Sequence, residues 1–156
     1  MSEGVCYTFE AAIEKAIEME ENGFRSYLRA ISILKNKHAR EVLRDAALDE
    51  MRHKQELEKA LLNGTMEGRG QMQTRVQTMN LNYMLGQQTL KPDADVRQAL
   101  AYAIHIEKEA IDFYQRMIEG CAGAPMVPVF QLLLNDEARH LQQLENIYED
   151  HFLTEN

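Results

Sequence analysis

Apolar residues recur along four segments of the chain at the spacing of a single helix face. The four apolar stripes are Ile13, Ile17, Phe24, Tyr27, Ile31 and Leu34; Ala39, Leu43, Ala46, Leu57 and Leu61; Val96, Leu100, Ala103, Ile111, Tyr114 and Ile118; and Phe130, Leu133, Leu144 and Ile147. No Val- or Ile-rich alternating run competes as a strand, so the pattern predicts an all-α fold.

Capping and breaking residues divide these stripes into four helices. The predicted helices run from the N-cap Thr8 to about residue 36, from residue 38 to the C-cap at Gly64, from the N-cap Asp93 to about Glu119, and from Pro125 to about Phe152. The connection over residues 63–92 is rich in Gly, Gln, Thr and Asn, with a short helix expected around "NLNYML". Two helical hairpins joined by one long crossover are typical of a ferritin-like four-helix bundle.

Composition narrows the class of protein. The 156 residues fit one domain, and the net charge of −8 argues against nucleic-acid binding. No apolar stretch approaches membrane-spanning length, and the N-terminus lacks the pattern of a signal peptide, so we expect a cytoplasmic protein. The only two cysteines, Cys6 and Cys121, argue against a disulfide framework and against a four-cysteine metal site.

The chain contains an internal repeat with an offset of 87 residues. "AIEMEENGFRSY" (16–27) falls on "AIHIEKEAIDFY" (103–114) without a gap. "DEMRHKQELE" (49–58) falls on "DEARHLQQLE" (136–145) with seven identities in ten positions. Each predicted hairpin therefore carries one repeat-matched Glu on its first helix, Glu20 or Glu107, and a Glu-x-x-His motif on its second.

Six polar residues interrupt the apolar stripes where a core is expected: Glu20, Glu50, His53, Glu107, Glu137 and His140. A Glu and a His three residues apart lie on the same helix face, so each pair is directed at one point. Each Glu is also about 15 residues from its hairpin turn, roughly 22 Å at 1.5 Å per residue. The six side chains are therefore predicted to meet in one central layer.

A buried layer with four carboxylates requires neutralising charge. Two divalent cations would balance the four Glu, and oxygen-rich ligation with one imidazole per ion suits iron, with manganese or zinc as alternatives. We expect Glu50 and Glu137 to bridge the two ions. Glu20 with His53 would complete one coordination sphere, and Glu107 with His140 would complete the other.

Further residues are candidates for supporting these ligands. Asp49 and Asp136 precede the two bridging Glu residues and could accept a hydrogen bond from the His of the facing helix. Arg52 and Arg139 could in turn hold the two Asp residues, although ordinary helix-surface charge would give the same pattern.

Two tyrosines extend the same helix faces. Tyr27 and Tyr114 lie seven residues after Glu20 and Glu107 respectively. Each could donate a hydrogen bond to a terminal carboxylate, or serve only as a core aromatic residue.

The two Glu and Glu-x-x-His sets resemble the ferritin-like di-iron carboxylate superfamily. Within it, "AIEMEENGFRSY" followed by "DEMRH" is most similar to the rubrerythrin-type group. The resemblance covers residues 8–62 and 93–152 and implies that the six residues named above are di-iron ligands. It further implies a redox enzyme that reduces hydrogen peroxide or oxygen. Because the chain has no rubredoxin-type four-cysteine site, the electrons would come from an external donor, a rubredoxin-like protein or a flavoprotein.

One departure from the resemblance leaves the reaction open. Rubrerythrin-type proteins carry an extra Glu one turn after the third-helix ligand, where this sequence has Ala110, with Glu109 predicted to face away. The remaining ligand set is similar to that of bacterioferritins, so iron oxidation is the main alternative. An oxygenase and a purely structural helical protein are further alternatives. We also expect a homodimer, with the methionines of the crossover packing on the bundle or on a second subunit.

Overall fold

The computed structural model describes residues 8–64 and 90–149, which form four α-helices. These are α1 (Phe9–Ile33), α2 (Lys37–Asn63), α3 (Val96–Gly120) and α4 (Val127–Tyr148). α1 packs along α2 and α3 packs along α4, so each half of the sequence is a helical hairpin. α2 and α3 make most of the contact between the hairpins, whereas α1 and α3 share only a narrow contact. The prediction of an all-α four-helix bundle is confirmed.

The helix ends follow the capping residues, with one correction. Thr8 accepts a hydrogen bond from the Ala11 backbone N–H at 3.2 Å, and Gly64 ends α2 with a φ of 75°. The prediction of Asp93 as the N-cap of the third helix is wrong. Asp95 caps α3, because its side chain accepts the Gln98 N–H at 2.9 Å while the Gln98 side chain accepts the Asp95 N–H at 3.0 Å.

The fourth helix begins two residues later than its first predicted proline. Met126 occupies the N-cap and Pro128 lies in the first turn, where a missing N–H leaves no hydrogen bond unmade. The predicted extension of this helix to Phe152 lies outside the described residues, as does the predicted short helix of the crossover. Within the described part of the chain, no helix is long and apolar enough to cross a membrane.

The apolar core consists of two clusters at different heights in the bundle. One includes Leu43 and Leu100, and the other includes Ile13 and Phe130. Along every helix, the predicted polar residues fall between these clusters. The prediction that Ile147 belongs to the core is wrong: Ile147 is 42% exposed, and the neighbouring Tyr148 is buried instead.

Cys121, directly after α3, is disulfide-bonded. The other cysteine of the sequence lies outside the described residues. With two cysteines in the sequence, at most one disulfide bond can form within it.

Candidate metal centre

The six interrupting residues meet in the middle of the bundle. The four carboxylates and His53 are almost fully buried, with exposures of 0–2%, and the His140 side chain is 13% exposed. They come from all four helices: Glu20 from α1, Glu50 and His53 from α2, Glu107 from α3, and Glu137 and His140 from α4. The structure therefore places all six side chains in the interior of the bundle, at the height between its two apolar clusters.

Ligand atoms converge at two neighbouring points. Glu20, His53 and Glu137 offer atoms within 4.8 Å of one another, and so do Glu107, Glu137 and His140. His53 Nδ1 lies 3.1 Å from Glu137 Oε2 and 3.5 Å from Glu20 Oε1. His140 Nδ1 lies 3.1 Å from Glu107 Oε2. Glu137 is common to both groups, which is the position of a bridging ligand.

Glu50 breaks the symmetry that the repeat predicts. Although it corresponds to Glu137, it belongs to neither of the two groups formed by the described residues. Its carboxylate lies beside Gly23, where a Cβ atom would come within 3.2 Å of Glu50 Oε1. A hydrogen bond with Glu50 also helps to lower the pKa of Glu20.

Burial and mutual repulsion raise the proton affinity of the two central carboxylates. Burial raises the pKa of Glu50 well above its ordinary value, and the neighbouring Glu137 and Glu20 carboxylates raise it further. Burial likewise raises the pKa of Glu137 well above the ordinary value, again reinforced by Glu20 and then by Glu107. These two groups therefore favour their neutral forms.

The pKa values of the terminal carboxylates shift in the opposite sense, whereas those of the two histidines are raised. Burial raises the pKa of Glu20, but hydrogen bonds with His53 and Glu50 outweigh it, and the pKa is lowered. The pKa of Glu107 is lowered in the same way, with burial outweighed by hydrogen bonds with Glu137 and His140. For His53, burial disfavours the charge, yet the contacts with Asp136 and Glu20 raise its pKa to about 10.

The donor set fits two divalent cations. Each of the four Glu side chains has one buried oxygen without a hydrogen-bond partner among the described residues. Such atoms are costly in a protein interior unless an ion or another polar group satisfies them. Four carboxylates with two imidazoles supply mainly oxygen ligands, the chemistry that iron and manganese accept. Two divalent ions would also supply the positive charge that the cluster otherwise obtains from protons.

Both predicted tyrosines hydrogen-bond across the bundle. The Tyr114 hydroxyl donates to Glu20 Oε2 at 2.6 Å, and the Tyr27 hydroxyl donates to Glu107 Oε2 at 3.2 Å. Both hydroxyls are fully buried, and burial followed by the nearby carboxylates raises the pKa of each tyrosine well above its ordinary value. They consequently remain hydrogen-bond donors to the terminal carboxylates.

The predicted Asp–His contacts also cross the bundle. Asp49 Oδ2 lies 3.2 Å from His140 Nδ1, and Asp136 Oδ2 lies 3.7 Å from His53 Nε2. Arg52 and Arg139 each hold the Asp three residues before them at 2.7 Å. Although burial raises the pKa of Asp136, the contacts with His53 and Arg139 lower it to about 2.

Two residues near the centre were not anticipated. Gly23 contacts Glu50, and the signal for it was available, because Gly23 lies one turn after Glu20 and corresponds to Ala110 in the repeat. Glu145 is buried with its carboxylate 4.0 Å from Lys108, whereas Glu58, its counterpart in the repeat, is exposed. Nothing in the sequence distinguishes these two Glu residues.

A four-helix bundle with a buried carboxylate and histidine layer of this kind is typical of di-metal carboxylate proteins of ferritin-like fold. In a comparison with protein-family models, residues 11–148 match the Rubrerythrin family. The chain therefore belongs to the rubrerythrin family, which implies a di-iron centre. Searches of curated proteins and of solved structures gave no match.

Proposed function

We propose that the protein is a di-iron oxidoreductase that reduces hydrogen peroxide or oxygen with electrons from an external donor. The observation that carries this proposal is the convergence of six buried ligand residues on two adjacent points that share Glu137. When bound there, two ferrous ions would supply one electron each to an O–O bond. Reduction of hydrogen peroxide to two water molecules consumes those two electrons and two protons.

Each ligand residue has a role in this proposal. Glu20 and His53 would hold one ion, and Glu107 and His140 the other. Glu137 would serve both ions, and Glu50 would be the second shared carboxylate that the repeat predicts. Asp136 faces the ring nitrogen of His53 that points away from Glu20 and Glu137, so it would orient that imidazole. Asp49 lies at His140 Nδ1, which also faces Glu107, and would fix the position of that ring. The two tyrosines would orient the terminal carboxylates. Arg52 and Arg139 hold the two Asp residues in place.

Glu50 links cation binding to proton release in this proposal. In the metal-free protein, burial raises the pKa of Glu50, and its Oε2 has no hydrogen-bond partner among the described residues. A carboxylate that binds a cation gives up its proton, so loading of the centre would release it. The buried apolar clusters on both sides of the layer limit the access of water from the ends of the bundle.

The test is an anaerobic titration with Fe(II), followed by rapid mixing with hydrogen peroxide or with oxygen. We expect two irons per chain and oxidation that is much faster with peroxide, followed through the near-ultraviolet absorption of the oxidised centre. Glu50→Ala and Glu137→Ala should lose bound iron, whereas Glu58→Ala, which removes an exposed carboxylate of α2, should keep it. Retention of two irons by both ligand variants would overturn the proposal.

A second candidate function is the oxidation of Fe(II) as a substrate. It is favoured by Ala110, since a methyl group in place of a carboxylate leaves the six-residue ligand set without an added acidic ligand. In this case the oxidised iron would leave the centre, and further Fe(II) would be turned over without an electron donor. Retention of the two oxidised irons, with turnover dependent on a rubredoxin-like protein or a flavoprotein, favours the first candidate.

The homodimer and the cytoplasmic location are retained as parts of the proposal. Exposed apolar side chains on α2, Leu48 and Met51, support an association between subunits. The cytoplasmic location requires that the disulfide at Cys121 form in a reducing compartment. Sedimentation analysis tests the first point, and thiol labelling of protein taken directly from cells tests the second.

A further inference from the structure

A cleft between α1 and α3 leads from the protein surface to the candidate metal centre. It has a volume of about 230 Å³ and lies where the two helices share only a narrow contact. Its walls consist of Met19, Asn22, Gly23, Ser26, Ile106, Glu109 and Ala110, and its floor includes Glu50.

Three pairs of repeat-related residues form most of these walls. With the offset of 87, Met19 corresponds to Ile106, Asn22 to Glu109, and Gly23 to Ala110. The last pair is the smallest and lies one turn after the ligands of its helices. Gly23 and Ala110 thus leave the space between α1 and α3 open at the height of the centre.

Glu50 is a buried polar group that faces this cleft. It is 2% exposed, and its Oε2 has no hydrogen-bond partner among the described residues. Of the four carboxylates in the centre, which all lie in the described ranges, Glu50 is the one that lines the cleft. The missing side chain of Gly23 gives it room, because a Cβ atom there would approach Glu50 Oε1 to 3.2 Å.

We propose that this cleft is the route by which a small, uncharged oxidant reaches the metal centre. Gly23 and Ala110 set its width, and Glu50 is the carboxylate that the incoming molecule meets first. The inference rests on the proposed redox function and adds to it a path and a selectivity for its substrate. It also gives the two halves of the centre different roles, since Glu137 remains shielded from the cleft.

The lining explains why an uncharged molecule is preferred. Glu109 is an exposed carboxylate, Asn22 and Ser26 are neutral, and no Lys or Arg among the described residues lines the cleft. An anion would be repelled as it moved toward the centre, whereas a peroxide can exchange hydrogen bonds with these groups. The volume is several times the roughly 30 Å³ that a water molecule takes in the liquid. Hydrogen peroxide and a small alkyl hydroperoxide therefore both fit.

Nitric oxide tests the route without relying on catalysis. It is small and uncharged, and its association with the anaerobic Fe(II)-loaded protein can be followed by absorbance in rapid mixing. We expect Ala110→Val, which narrows the cleft, to slow association by about tenfold or more. Gly23→Ala should slow it as well. Ala101→Val, a matched change on α3 outside the cleft, should leave the rate unchanged.

Selectivity among oxidants provides the second readout. Ala110→Val should slow oxidation by tert-butyl hydroperoxide more than oxidation by hydrogen peroxide, because the larger molecule depends more strongly on the width. Rates are expressed per bound iron, so that a change in loading is separated from a change in access. Unaltered nitric oxide association and unaltered selectivity in Ala110→Val at full loading would overturn the inference while leaving the proposed function intact. Absence of bound iron in the unmodified protein would instead refute the proposed function.

Discussion

Tyr114 and Tyr27 support the two terminal carboxylates with hydrogen bonds of different quality. Tyr114 donates to Glu20 alone at 2.6 Å, whereas the single proton of Tyr27 is divided between Glu107 at 3.2 Å and the Ala103 carbonyl at 3.3 Å. We therefore expect Tyr114→Phe to weaken metal binding by about 10- to 100-fold, and Tyr27→Phe to weaken it less. Titration with Co(II), followed by its visible absorption, measures both. A larger effect of Tyr27→Phe would contradict the assignment.

The contact between Asp49 and His140 makes a second prediction for a single residue. The Asp49 carboxylate lies 3.2 Å from the imidazole, so Asp49→Asn removes the charge that favours a correctly oriented ligand. We expect Co(II) affinity to fall by about 10- to 100-fold. Asp45→Asn on the same helix is the matched control, because Asp45 is exposed and lies 3.8 Å from Arg44. Equal losses in the two variants would indicate a general effect of surface charge.

The positions of the six ligand residues could be predicted from sequence because charged residues interrupt an otherwise apolar stripe. The orientation of individual side chains could not be. Glu50 and Glu137 occupy equivalent places in the repeat, yet one lies against Gly23 and the other lies between the two histidine groups. The two carboxylates differ because they pack against different residues of a neighbouring helix. Gly23 lies beside Glu50, whereas the repeat-related position holds Ala110, which has one more methyl group.

At the scale of helices, the start of α3 illustrates what local sequence leaves undecided. Asp93 and Asp95 both precede the apolar stripe and both are acceptable caps. The reciprocal hydrogen bonds with Gln98 select Asp95, while Asp93 is exposed in the preceding turn. The lengths of the helices were predictable to within a few residues because the stripes fix their middles, but their first residues depend on these contacts.

Replacement of the two Asp residues tests this helix start. Asp95→Ala should lower the free energy of unfolding of the metal-free protein by about 1 kcal/mol, because it removes an N-cap and disrupts the capping box. Asp93→Ala should change it by less than about 0.5 kcal/mol, as expected for an exposed residue. Urea denaturation followed by circular dichroism gives both values. A larger loss in Asp93→Ala would place the cap at the position originally predicted from sequence.

At the scale of the whole molecule, the buried carboxylate layer lowers the stability of the metal-free bundle but supplies the candidate metal ligands. The two apolar clusters stabilise the bundle, but the layer between them holds four carboxylates that repel one another. Such a layer is retained at a cost in the metal-free protein because cations stabilise the loaded protein by mass action. The apolar clusters therefore hold the bundle together, and bound ions would offset the loss of stability that the buried carboxylates cause.

The variant Glu137→Gln separates the cost of a buried carboxylate in the metal-free protein from the stabilisation by bound cations. Glu137 is fully buried and its pKa is raised well above the ordinary value by burial and by Glu20 and Glu107. An amide of the same shape is neutral without taking up a proton, so at neutral pH the metal-free variant should be more stable than the unmodified protein by about 1 kcal/mol or more.

With metal present, the unmodified protein should be more stable than Glu137→Gln. At a Co(II) concentration about 1,000 times the dissociation constant, one site contributes about 4 kcal/mol to the unmodified protein, and most of that should be lost without the shared carboxylate. Thermal unfolding with and without Co(II) measures both effects, and Glu58→Gln, which changes an exposed side chain, should alter neither. Destabilisation of Glu137→Gln in the metal-free protein as well would show that protein contacts, rather than cations, account for the carboxylate at this position.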